Sequence, residues 1–102
     1  NEREAQEAGI PIKTALTTAM TRPPYYPNGC KLTVKLFCHA ENGRLLGAQL
    51  AGLSGAASRI GMCAAAITAG MTAKQLAMAD LGYAPPFNFV WDPVQLAAGM
   101  LK

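Results

Sequence analysis

The sequence predicts an α+β domain in two layers, a mainly antiparallel sheet packed with helices, and three observations carry that prediction. From Ile10 to Met20 and again from Leu32 to Cys38 the apolar residues alternate with period two, the spacing that gathers them on one face of a strand. From Gly55 onward the period lengthens to that of a helix, with Ile60, Ala64, Ile67 and Met71 on one face. Asn42-Gly43 separates the second of these runs from a returning strand, and strands joined by so short a turn run antiparallel. Strands followed by helices, rather than strands alternating with them, give segregated layers.

Each element has a local reason. Residues 1 to 8 suit a short helix, with Asn1 and Glu4 in capping-box spacing and Gly9 as its stop. Ile10, Ile12, Thr14, Leu16, Thr18 and Met20 alternate in a stretch rich in β-branched residues, so a strand is expected from Ile10 to Met20. Arg22-Pro23-Pro24-Tyr25-Tyr26-Pro27 ends it. Proline fixes φ, removes a backbone donor and pushes the preceding residue out of the α region. That loop closes at Asn28-Gly29. Leu32, Val34, Leu36 and Cys38 then alternate with Lys31, Thr33, Lys35 and Phe37, a second strand with a more polar face. Asn42-Gly43, flanked by Glu41 and Arg44, predicts a type I′ hairpin turn, since both residues tolerate positive φ.

The returning strand is expected from Arg44 to Leu53, with Gly47 and Gly52 marking bulges or the close approach of another backbone. A helix runs from about Gly55 until Gly70 stops it. Thr72 and Gln75 form a second capping box, opening a short helix through Met78. Leu81-Gly82-Tyr83-Ala84-Pro85-Pro86-Phe87 is a second stiff loop. Asp92-Pro93 pairs a cap residue with a first-turn proline, starting a final helix that carries Val94, Leu96, Ala97 and Met100.

Composition bounds the function. A chain of 102 residues is one domain that buries roughly two-thirds of its unfolded surface. Much of its apolar content is alanine, and large core side chains are sparse, which fits part of something larger or half of a dimer. No apolar run reaches the ~18 residues a membrane span needs, and no signal segment opens the chain. The net charge of +3 is mild and its cations are scattered, against a nucleic-acid surface. Cys30, Cys38 and Cys63 form no C-x-x-C pair, and their odd number argues against a secreted disulfide framework. With His39 the lone histidine, no zinc site is expected. Small thiols in a reducing compartment point to the cytoplasm.

No phosphate-binding glycine loop, nucleophile elbow or triad is present, so the chain is not expected to catalyse a reaction alone. What remains is two proline-stiffened loops, each presenting phenols at a set angle. Such loops serve packing, or they build a lip over a site.

The ordered set Arg22 to Pro27, Gly43-Arg44-Leu45-Leu46-Gly47-Ala48-Gln49, Gly52-Leu53-Ser54-Gly55, Arg59-Ile60, Ala66 to Thr72, Tyr83 to Phe87 and Asp92-Pro93-Val94 resembles the C-terminal dimerisation domain of the pyridine nucleotide-disulfide oxidoreductases. Its Tyr-Tyr-Pro and Tyr-Ala-Pro-Pro motifs look most like the coenzyme A-disulfide reductase and NADH oxidase branch. The resemblance covers nearly the whole chain. It departs from the family at Gly61, where many relatives carry an acidic residue, and none of the three cysteines matches the redox cysteine.

The resemblance implies a single domain over residues 1–102, cut from a longer FAD- and NAD(P)H-dependent enzyme; the absence of an initiator methionine fits that reading. It implies a homodimer in which each copy completes the other's active site, beside the FAD- and NAD-binding domains of the same protein. A coenzyme A-type thiol is the implied substrate, or dioxygen for an oxidase. Tyr25 and Tyr83 would point at the partner's redox cysteine as catalytic groups. Pro85, Pro86 and Phe87 would line the interface near its flavin, while the domain alone binds no cofactor. The competing reading is a free-standing homodimeric interaction module without catalytic duty.

Overall fold

The computed structural model describes residues 1–20, 30–53, 56–79 and 92–101. The elements follow in the predicted order: α1 (Glu2–Glu7), β1 (Ile12–Met20), β2 (Lys31–His39), β3 (Leu45–Gly52), α2 (Ala56–Thr68), α3 (Ala73–Met78) and α4 (Pro93–Leu101). Both proline-tyrosine loops lie outside the described residues.

The strands form one antiparallel sheet in the order β1-β2-β3. Register explains the core. Ala15, Leu36 and Ala48 stand opposite one another, as do Thr17, Val34 and Leu50, so their side chains share a face. Leu32, Val34, Leu36 and Cys38 on that face are fully buried. Removing each aliphatic side chain from water contributes about 1.5–3 kcal/mol. The helices supply the second layer: α2 packs on β3, α4 crosses β1 and β2, and α3 lies against α4. Alanines at 15, 66, 73, 77, 97 and 98 line this contact and are all buried, which lets helix and sheet backbones approach closely.

The opposite face is less polar than the alternation predicts, because Phe37 is buried there. Its neighbours across the sheet are Thr14 and Gly47, and its ring occupies the space a side chain at Gly47 would need. Beside Gly47 the register slips between Phe37 and Cys38, leaving Leu46 as a bulge residue. Gly52 likewise accommodates a close approach, here of the Lys31 carbonyl and Leu32. α1 is fastened to this face through Glu2, which pairs with Lys35 and accepts from Thr14 Oγ1 at 3.3 Å. The Lys35 hydrogen bond holds the Glu2 carboxyl below its ordinary pKa.

Both capping boxes form as read, Asn1 with Glu4 and Thr72 with Gln75. The hairpin forms too, but its turn is wider than a two-residue type I′. His39 N donates to the Arg44 carbonyl at 2.8 Å, so four residues, Ala40 to Gly43, make the loop. Side chains explain the extra length. His39 Nδ1 accepts from Glu41 N at 3.1 Å and Asn42 Oδ1 from Arg44 N at 2.9 Å, which stabilises a broader turn with Gly43 at φ +75°.

α2 ends in a Schellman motif. Met71 N bonds the Ala66 carbonyl, Gly70 N bonds that of Ile67, and Gly70 takes φ +73°. The buried face of α2 only partly matches the one the apolar periodicity suggests. Ile67 and the following Met71 pack against the core as expected, but Arg59, Cys63 and Ala66 are the buried positions, whereas Ile60 is 42% exposed and Ala64 faces solvent. The reason is a long-range ion pair.

Candidate functional site

That pair belongs to a buried polar cluster where α2, α3 and α4 converge, at the two ends of residues 80–91. Arg59 Nε donates to Asp92 Oδ2 at 2.9 Å, with Arg59 6% and Asp92 3% exposed. A charge so deeply buried is tolerated when paired and hydrogen-bonded. Asp92 has a second duty. Its Oδ1 accepts from Val94 N at 2.9 Å, satisfying one of the orphan donors of α4, and Pro93 in the first turn lacks a donor that would need a partner.

One turn further, Gln95 is 4% exposed, and its amide reaches away from its own helix. Nε2 donates to the Ala79 carbonyl at 2.6 Å and approaches that of Leu76 at 3.4 Å. α3 stops at Met78, and Ala79 turns extended with ψ 140°, so Gln95 serves carbonyls the helix leaves behind. Among the described residues every buried side-chain nitrogen and oxygen has a partner.

The thiols nearby are inert. Burial pushes Cys63 up to about 11, and the Asp92 charge adds to the rise. Burial also raises Cys38 against the opposing influence of Lys13. A thiolate is the reactive form, so neither is poised as a nucleophile at neutral pH. A stability effect follows for Cys63. Between the unfolded thiol pKa near ~8.5 and the folded value, the folded chain keeps a proton the unfolded chain has lost, so stability falls as pH rises. Denaturation of the parent should lose roughly 2–3 kcal/mol more than that of Cys63→Ala between about pH 8 and 11. Parallel curves for the two would refute the assignment.

Tyr25, Tyr83, Pro85, Pro86 and Phe87 all lie outside the described residues, as do Tyr26 and Trp91. Arg59 takes Asp92 as an acidic partner. His39 is half-buried and accepts from Glu41. Among the described residues no three His, Cys, Asp or Glu side chains are grouped to hold a metal, and no helix is long and apolar enough to cross a membrane. Two open clefts flank the hairpin. One of about 300 Å³ holds Lys13, Asn42, Thr72 and Lys74, and one of about 320 Å³ holds His39, Arg44 and Ile67. The first is also lined by Cys38 beside Lys13, but burial raises that thiol's pKa despite the lysine.

Sequence reasoning missed Gln95. The available signal was the Asp92-x-x-Gln95 spacing, which mimics a capping box, combined with a lone amide among the buried positions Val94, Ala97, Ala98 and Leu101.

Comparison with known proteins bears on the whole arrangement. The chain is 45% identical over 101 residues to an NAD(P)H sulfur oxidoreductase (CoA-dependent) of Pyrococcus furiosus, covering 99% of this chain and 23% of that protein. It is 37% identical to an NADH oxidase of Methanocaldococcus jannaschii, covering 87% of this chain and 20% of that one. Among solved structures, an NAD-dependent persulfide reductase from A. fulgidus superposes with a TM-score of 0.94 at 40% identity, over 98% of this chain and 19% of that one. This chain therefore spans about a quarter or less of the relatives it matches. Residues 1–93 match the model of the pyridine nucleotide-disulphide oxidoreductase dimerisation domain, and the chain belongs to that family.

Proposed function

We propose that this domain pairs two copies of an FAD- and NAD(P)H-dependent oxidoreductase and completes the active site of the partner subunit, in an enzyme that reduces a coenzyme A disulfide or persulfide. The carrying observation is the 45% identity, over nearly the whole chain, to a protein named as a CoA-dependent sulfur oxidoreductase. The NADH oxidase likeness is weaker, at 37%, so dioxygen reduction is the second reading. A free-standing interaction module is not favoured. FAD and the nicotinamide belong to domains outside this chain, and FAD would relay electrons from NAD(P)H to sulfur. The candidates for contact with the flavin are Pro85, Pro86 and Phe87. A reducing cytoplasm suits the buried thiols of Cys38 and Cys63.

The role of the chain's own residues in that chemistry rests on the candidate phenols Tyr83 and Tyr25. When two electrons enter a disulfide the S–S bond breaks and a thiolate leaves. A phenol with pKa near ~10 hydrogen-bonds that charge or gives it a proton, and a neighbouring proline pair limits the entropy lost in doing so. In the complete enzyme Tyr83→Phe should slow disulfide turnover roughly tenfold or more, since a hydrogen bond to a charged group is worth about 1.5–3 kcal/mol. FAD content and subunit pairing should not change. Full turnover in Tyr83→Phe removes the catalytic reading and leaves the ring a packing role.

The dimer has its own test. The outward face of α2, with Ala57, Ile60, Gly61 and Ala64, is small and apolar enough for close contact with a second copy. Stable homodimers commonly bury ~2,000 Å² or more in total, and two-fold pairing is the commonest arrangement. Sedimentation equilibrium should show self-association of this chain. Monomer alone at high micromolar concentration would shift the dimer contact to other domains.

A further inference from the structure

Beside the hairpin, His39, Asn42 and Arg44 line one cleft of about 320 Å³ together with Leu45, Leu46 and Ile67. The three polar side chains are committed in the same sense. His39 Nδ1 accepts from Glu41 N at 3.1 Å, so the hydrogen of the neutral ring sits on Nε2 as a donor. Asn42 Oδ1 accepts from Arg44 N at 2.9 Å, which leaves its amide nitrogen to donate. Arg44 carries donors only. Among the described residues that line the cleft none is a carboxylate.

The guanidinium is held in place before any ligand arrives. It lies over Gly70, where a Cβ would collide with Arg44 Nη2. The glycine that ends α2 at φ +73° therefore also clears the room the guanidinium occupies. The backbone is pinned too. Arg44 bridges Thr72, while Leu45 N donates to the Met71 carbonyl and Ala73 N to that of Gly43, both at 2.9 Å. Donors fixed in advance lose little entropy on binding.

We propose that this cleft binds a small organic monocarboxylate with a short apolar chain. Arg44 is the one permanent cation among the described lining residues, which matches a single negative charge and leaves a phosphate dianion half compensated. A guanidinium fork takes a carboxylate through two parallel hydrogen bonds, and His39 Nε2 and the Asn42 amide remain for its other lone pairs. Leu45, Leu46 and Ile67 supply the apolar wall. The volume lies near the lower end for ligand pockets, ~300 Å³, and suits an acid of few carbons.

Calorimetric titration of the complete, FAD-loaded enzyme with isovalerate should show a saturable event. Isovaleramide has the same shape without the charge and should bind roughly tenfold or more weakly, and inorganic phosphate should also bind more weakly. Arg44→Met should weaken isovalerate roughly tenfold or more, with FAD content and dimerisation at parent levels. If that variant loses flavin or falls apart, Leu46→Glu takes its place, because it keeps Arg44 on Gly70 and sets a competing carboxylate at the cleft. The same loss is required of it. No saturable event, equal affinity for the amide, parent affinity in the variant, or phosphate binding tighter than isovalerate would each overturn the carboxylate site.

Discussion

Asp92→Ala should destabilise this chain by about 3–5 kcal/mol, the range for removing one member of a buried ion pair. The loss has two parts. The Arg59 guanidinium, 6% exposed, stays buried and loses the carboxylate it donates to at 2.9 Å. α4 also loses the cap at Val94 N, typically ~1 kcal/mol. Urea denaturation of the parent and variant measures the sum. The double variant Arg59→Met/Asp92→Asn dissects it, because it removes both charges and keeps an oxygen for Val94 N. Replacing both members of a buried pair is often nearly neutral, so the double variant should recover more than half of the loss. A double variant as unstable as Asp92→Ala would mean that the ion pair itself, rather than the cap or the stranded guanidinium, carries the stability.

How legible these features were depends on how far apart in sequence their parts lie. The Asn1–Glu4 and Thr72–Gln75 boxes are complete within four residues, and both appear as read. The strand alternation is also local, and Leu32, Val34, Leu36 and Cys38 point inward as it requires. The face of α2 was misjudged in part because a charged residue reads as surface. Arg59 is buried where Asp92, 33 positions on, meets it. Phe37 shows the same limit. Its polar neighbours suggest solvent, while its burial depends on Gly47 of another strand. The width of the hairpin escaped for a different reason. It is set by side-chain acceptors on His39 and Asn42, which compete with the tight turn that Asn-Gly favours by itself. The candidate site follows suit: Asp92 as a cap was legible, whereas its ion pair with Arg59 and the reach of Gln95 to Ala79 each join parts far apart in sequence.

Gly47→Ala should be the most damaging single-methyl change in the sheet. Its Cβ would fall within the Phe37 ring, overlapping three of that ring's carbons, so the ring or the strand must move. Neither has room to yield cheaply. Phe37 is 3% exposed, and the strand at Gly47 adjoins the Leu46 bulge, where the register is already displaced. Overpacking of this kind costs typically 1–3 kcal/mol and occasionally more, and the upper part of that range is expected because the ring edge faces the new methyl directly. By contrast Gly61→Ala meets nothing within 4 Å and lies mid-helix, where alanine gains about 1 kcal/mol over glycine in propensity. The two substitutions, chemically identical, should therefore shift the denaturation midpoint in opposite directions. The compensating change is Phe37→Leu, which alone loses apolar burial but opens the space the new methyl needs. In the Gly47→Ala background it should be neutral or stabilising, a favourable coupling of at least ~1 kcal/mol by the double-mutant cycle. Strictly additive losses would show that the glycine is required by the backbone of the bulge rather than by the ring across from it.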